Sequence, residues 1–203
     1  SEILTGTKIA KQQILDNTIS VLAGKAGSGK TLLACQVALD GLFRRHYEKI
    51  IITRPTVSKE EIGFLPGDLH QKMDPWVQPI YQNMYSLYGK EKIDPYIKEG
   101  KIEIVPVAFM RGRTFTDAFI IADEMQNSTP NQMRMLLTRL GENTKLIVTG
   151  DVDQSDLDKR NGLEDILEKI DGVDMDYVEH TTLGIEDVIR HPAVTEILSL
   201  YYK

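Results

Sequence analysis

Cysteine is nearly absent from this chain. Cys35 is the only one, so no disulfide can form within it. Its neighbours Leu32, Leu33 and Ala34 place it on an apolar helix, as buried core and not as a nucleophile. There are four histidines, and none is spaced with the cysteine or with a second histidine in a zinc or iron pattern. No Ser–His–Asp constellation stands out. No apolar run reaches the length of a membrane span, and no secretory leader is read in the opening residues. Basic residues are outnumbered, 24 against 30 acidic ones. The net charge of -6 argues against a broadly basic nucleic-acid surface while allowing a local groove. A lone reduced cysteine suits a cytoplasmic setting, and no membrane partner is expected.

The 203 residues suffice for one well-packed α/β core and are short for two. The most informative stretch is Gly24-Lys25-Ala26-Gly27-Ser28-Gly29-Lys30-Thr31, a phosphate-binding loop with its full ending. A hydrophobic run, Ile19–Ala23, delivers the chain as a strand. The three glycines let the backbone turn tightly around an anion. A helix over about Lys30–Arg45 then presents its free N–H groups to the phosphates. Lys30 supplies a charge for the terminal phosphates, and the Thr31 hydroxyl is a ligand for magnesium.

The rest of the chain alternates strands and helices. A helix over Thr7–Asn17 precedes the first strand. Lys49–Thr53, Lys101–Val107, Ala118–Ala122, Thr144–Thr149 and Asp174–Glu179 read as further strands. Ser128–Leu140 and Gly162–Ile170 read as helices, followed by short ones at Glu186–Arg190 and Ala193–Tyr201. Residues 56–98 carry several prolines and glycines and are expected to be an irregular, partly helical insertion. The rings at Trp76, Tyr81, Tyr85, Tyr88 and Tyr96 favour packing over a base-stacking platform. The pattern predicts a single domain over residues 1–203: α/β, with a mostly parallel sheet between two helical layers.

Asp123 and Glu124 follow a hydrophobic strand at once, at the sheet edge where the phosphate loop also lies. Asp123 is the magnesium residue, directly or through water. Glu124 is the residue that orients and deprotonates the attacking water. Gln154, after the next strand, is the expected sensor of the terminal phosphate, and Gln126 a relay. The spacing leaves open which arginine reaches the phosphates, with Arg113, Arg139 and Arg190 the ordered candidates.

These motifs together resemble the PhoH family. The resemblance rests on Gly24–Thr31, Thr53-Arg54-Pro55, Arg111-Gly112-Arg113-Thr114-Phe115, Asp123-Glu124-Met125-Gln126-Asn127, Leu137-Thr138-Arg139 and Thr149-Gly150-Asp151 with Gln154. It continues through Asp156-Leu157 and Gly162-Leu163 to Asp187-Val188-Ile189-Arg190-His191-Pro192. It implies a RecA-like core similar to superfamily 1 helicases, with ATP and Mg2+ as cofactors. It also implies hydrolysis linked to RNA or single-stranded DNA, and a homo-oligomeric ring, as a hexamer, with an arginine shared between subunits. No glutamine before the loop matches the adenine-reading position of related helicases; Gln12 and Gln13 are the candidates. A nucleotide-gated assembly module with little turnover and a P-loop kinase are the alternative readings.

Overall fold

The computed structural model describes residues 5–25, 27–55, 69–155, 157–183, 192–198 and 200–201. The expected helix at Glu186–Arg190, and with it Arg190, lies outside the described residues, as does Ala26. In chain order the elements are α1 (Thr5–Asp16), β1 (Ile19–Gly24), α2 (Lys30–Phe43), β2 (Lys49–Thr53), α3 (Leu69–Tyr88), α4 (Lys90–Lys98) and β3 (Ile102–Ile104). They continue with β4 (Ala118–Ala122), α5 (Pro130–Leu137), β5 (Thr144–Gly150), α6 (Gly162–Ile170), β6 (Val178–Leu183) and α7 (Pro192–Leu198). Among the described residues no helix is long and apolar enough to cross a membrane.

The six strands form one sheet in the order β3-β2-β4-β5-β1-β6, and every ladder is parallel. Parallel strands need both faces covered, so their sequences run apolar without a break. All five residues of β4 are buried, and four of five in β2. Alternate side chains then divide between two cores. Ile50, Ile52, Phe119 and Ile121 pack under α1 to α4. Ile51, Ile120, Ala122, Leu146 and Val148 pack on the other face, with Met133, Leu136 and Leu163 of α5 and α6. Each fully buried side chain of this size contributes roughly 1.5–3 kcal/mol.

Where boundaries differ from those expected, local chemistry accounts for it. The helix expected from Ser128 begins at Pro130, because Thr129 caps it. Thr129 Oγ1 accepts from Gln132 N at 3.1 Å, and Gln132 Oε1 accepts from Thr129 N at 2.9 Å. β3 stops at Ile104, two residues before Pro106, which has no N–H for a ladder. The last strand is Val178–Leu183, not Asp174–Glu179. Its register on β1, Ile19 to Val178 through Gly24 to Leu183, decides this. Its polar content suits its place at the sheet edge. The stretch expected to be irregular and partly helical forms two helices in its described part, 69–88 and 90–98, broken only at Gly89 and continuous through Pro75, Pro79 and Pro95. Ile80 and Met84 are fully buried and Tyr81 nearly so. Phe43 meets Tyr88 edge-on, with ring centroids 5.0 Å apart. Tyr81 is core, and Tyr85, Tyr88 and Tyr96 pack partly buried against it; the Trp76 side chain lies outside those described.

Candidate nucleotide site

The carboxyl ends of β1, β4, β5 and β2 lie side by side, and each delivers one part of the site. Ala23 of β1 is level with Gly150 of β5, and Thr53 of β2 is level with Ala122 of β4. This crevice at the strand ends is where open α/β sheets bind ligands.

After β1 the loop turns through Gly27 at φ 82° and Gly29 at φ 87°, a conformation that glycine adopts without penalty. A Cβ on Gly29 would meet nothing within 4 Å, so the left-handed backbone and not crowding requires glycine there. Gly24 is glycine for another reason: a Cβ there would sit 2.4 Å from the Leu183 carbonyl oxygen of β6. The loop's N–H groups and the start of α2 form an anion cradle. Ser28 lies buried within it, and its Oγ has no hydrogen-bond partner among the described residues. An orphaned hydroxyl in a phosphate loop fits an oxygen-rich ligand.

Lys30 is 8% exposed, and its Nζ donates to the carbonyls of Gly24 and Lys25, each at 3.0 Å. Burial pushes its ammonium below the ordinary value, while Asp151, Glu124 and Asp123 pull it back up. An ion pair between Lys25 and Asp153 ties the loop to the turn after β5.

The acid pair meets the loop directly. Thr31 Oγ1 donates to Asp123 Oδ1 at 3.0 Å, across 92 residues of sequence. Thr149 Oγ1 donates to the same oxygen at 2.6 Å. Arg54 takes the other oxygen, with Nε at 3.0 Å and Nη2 at 2.6 Å from Asp123 Oδ2. Thr31 and Asp123 are hard oxygen donors of the kind magnesium prefers. Among the described residues no cluster of three His, Cys, Asp or Glu could hold a metal unaided. A cation here would therefore draw further oxygens from phosphate and water.

Glu124 stands in the left-handed region, φ 58° and ψ 38°, which costs a non-glycine residue roughly 1–2 kcal/mol. Gln126 holds it there. Gln126 Nε2 donates to Glu124 Oε2 at 2.7 Å, and its Oε1 accepts from Asp151 N at 3.1 Å. Gln126 is thus a buried brace turned inward, not a side chain facing a partner. A Cβ on Gly150 would come within 2.8 Å of Gln126 Oε1, so the brace also requires that glycine. Gln154 is exposed on the same rim, its N–H donating to Asp151 O at 3.2 Å.

Two of the expected arginines lie elsewhere. Arg113 is exposed, pairs with Glu103 of β3 at 3.2 Å and lies over the Phe115 ring. Four strand spacings, about 19 Å, separate β3 from β1. Arg139 precedes β5 at the amino edge of the sheet, and its carbonyl accepts from Phe115 N at 2.9 Å. Arg54, Thr149 and Asp151 stand in motifs the sequence offers, Thr53-Arg54-Pro55 and Thr149-Gly150-Asp151, but their part in the site was not assigned from sequence. Gln12 spends its amide on Asp16 at 2.9 Å, one turn along α1. Burial pushes the Cys35 thiol far up, which fits its place in the core.

A strand–loop–helix with lysine and threonine at its end, facing an acid pair at the next-but-one strand of a parallel sheet, defines a P-loop NTPase with a three-layer RecA-like fold. The fold agrees with the Pif1 helicase from Candida albicans, at a TM-score of 0.50 and 14% identity, covering 97% of this chain and 42% of that one. The PhoH-like protein family model matches residues 5–202, and the chain belongs to the PhoH family. It is 44% identical over 194 residues to a PhoH-like protein of Synechocystis, covering 93% of this chain and 58% of that relative. It is 47% identical over 186 residues to a PhoH-like protein of Bacillus subtilis, covering 89% and 57%. Protein PhoH of Escherichia coli is 40% identical over 183 residues, with 88% and 51% covered. The chain thus spans a little over half the length of these relatives.

Proposed function

We propose that this chain is a magnesium-dependent ATPase that acts on RNA or single-stranded DNA as a homo-oligomer, a ring of six. The observation that carries the catalytic part is the 3.0 Å hydrogen bond between Thr31 and Asp123, which unites loop and acid pair around one ligand position. Bound Mg-ATP supplies the phosphoryl group to be transferred and a cation that screens its charge.

The chain's own residues then have distinct tasks. The loop N–H groups and Lys30 bind and orient the phosphates. Thr31 keeps its proton on Asp123 and offers its lone pairs outward. Glu124, held by Gln126, orients the attacking water and accepts its proton. Gln154 reports the terminal phosphate from the rim. Arg113 and Arg139 lie away from their own loop, so either one would stabilise transition-state charge from a neighbouring copy. Arg190 is the third candidate for that task. The link to nucleic acid rests on family membership and on the Gln126 brace, which couples Glu124 to the turn after β5.

Phosphate release measured with magnesium, with and without single-stranded RNA or DNA, tests the reading. Turnover stimulated by one of these strands is expected. No turnover under either condition, across protein concentrations that permit assembly, would overturn it.

A further inference from the structure

Asp123 is saturated. A carboxylate has about four acceptor positions, and four donors converge on this one. Arg54 places two on Oδ2, while Thr31 and Thr149 place one each on Oδ1. The pair is largely shut off from water, with the Arg54 side chain 15% exposed and that of Asp123 1%. The sheet fixes their separation. Arg54 directly follows β2, and Asp123 N donates to Thr53 O at 2.9 Å. The guanidinium is therefore carried to the acid by the β2–β4 ladder itself.

The charge balance around the loop gives this pairing a consequence. Asp151, Glu124 and Asp123 act on Lys30, and the Arg54 guanidinium is paired with Asp123. Arginine does not lose its proton in proteins, so Asp123 meets an incoming metal already neutralised. Its Oδ1 is occupied by the proton of the hydroxyl that faces the ligand position.

We propose that Arg54 is a positioning residue, a resident counter-cation that keeps Asp123 as the hydrogen-bond acceptor of Thr31 and prevents it from capturing a divalent cation on its own. The inference rests on the magnesium-nucleotide reading of the site. In consequence a divalent ion enters only with the triphosphate. Without the guanidinium, Asp123 Oδ2 loses both of its donors and its counter-charge, which opens the carboxylate to a divalent ion.

The test uses Arg54→Gln, which retains a polar side chain and removes the charge. Mn2+ binding to the nucleotide-free protein is read by electron paramagnetic resonance of the free ion. The variant is expected to bind Mn2+ about tenfold more tightly than the parent or better, and Mn2+ is expected to raise its Tm but not the parent's. The gain is expected to vanish in the double variant Arg54→Gln with Asp123→Asn. A merely structural Arg54 would lower Tm and leave Mn2+ affinity unchanged, which overturns the proposal. So does a gain that survives Asp123→Asn. Should Arg54→Gln fail to fold in metal-free buffer, refolding in Mn2+ is expected to restore it, and failure of that rescue also overturns the proposal. Mg-ATP binding to the parent is measured separately. Its absence removes the ATPase reading, whereas the Mn2+ comparison needs no nucleotide and judges Arg54 alone.

Discussion

The two edges of the sheet use the same side-chain chemistry to opposite ends. At the carboxyl edge Arg54 pairs with Asp123 out of water, and every acceptor position of the acid is filled. At the far edge strand Arg113 and Lys49 share Glu103 at 3.2 and 3.3 Å, with the Arg113 side chain 42% exposed and that of Lys49 49%. Both are arginine–carboxylate pairs. Only the first is held in a geometry that cannot relax into solvent. Exposed pairs contribute little to stability, whereas losing one partner of a buried pair leaves a charge with no compensation. The difference shows where the fold accepts an energetic cost in order to place charge, and that place is the nucleotide site.

The contrast can be broken from either side. Asp123→Ala is expected to destabilise the protein by about 3–5 kcal/mol, because Arg54, Thr31 and Thr149 all lose the buried carboxylate they donate to. Urea unfolding measures this, and a loss under 1 kcal/mol would put the two edges on a par. Glu124→Gln should leave nucleotide binding intact and lower turnover by on the order of 10²–10⁴. Fluorescent-nucleotide titration beside phosphate release separates the two effects, and unchanged turnover would remove Glu124 from the water-orienting role.

Gly150→Ala is expected to cost about 1–3 kcal/mol by crowding Gln126 and Leu163, and to lower turnover by loosening Glu124. A stability loss without any change in turnover would detach the Gln126 brace from Glu124. On the exposed edge, Glu103→Ala should change stability by less than about 1 kcal/mol. A loss comparable to that of Asp123→Ala would contradict the comparison.

The carboxyl edge was legible in the sequence wherever function is written into one contiguous stretch. The phosphate loop has a fixed spacing, and Asp123-Glu124 closes an unbroken apolar run whose five residues turn out to be buried. Arg54 was not legible, because nothing in the order of the strands along the chain says that β2 lies beside β4. It looked like the end of a strand, and only the ladder brings it to Asp123. Gln126 misled in a related way. Its place after the acids suggested an outward relay, while the turn at Met125–Asn127 folds it back into the interior. β6 escaped its true bounds because Val178–Leu183 has the mixed polarity of an edge strand and little β-branched alternation. The helices over residues 69–98 were obscured by prolines that α3 and α4 accommodate.

The central claim is that Thr31 and Asp123, brought together from distant parts of the chain, serve one magnesium-bound nucleotide. A double-mutant cycle on magnesium-dependent nucleotide affinity, with Thr31→Ala, Asp123→Asn and the pair, addresses it most directly. Each single variant is expected to lose most of the magnesium-dependent gain in affinity, with the double little worse than either. Losses that add independently, or singles that keep the full magnesium response, would contradict the account.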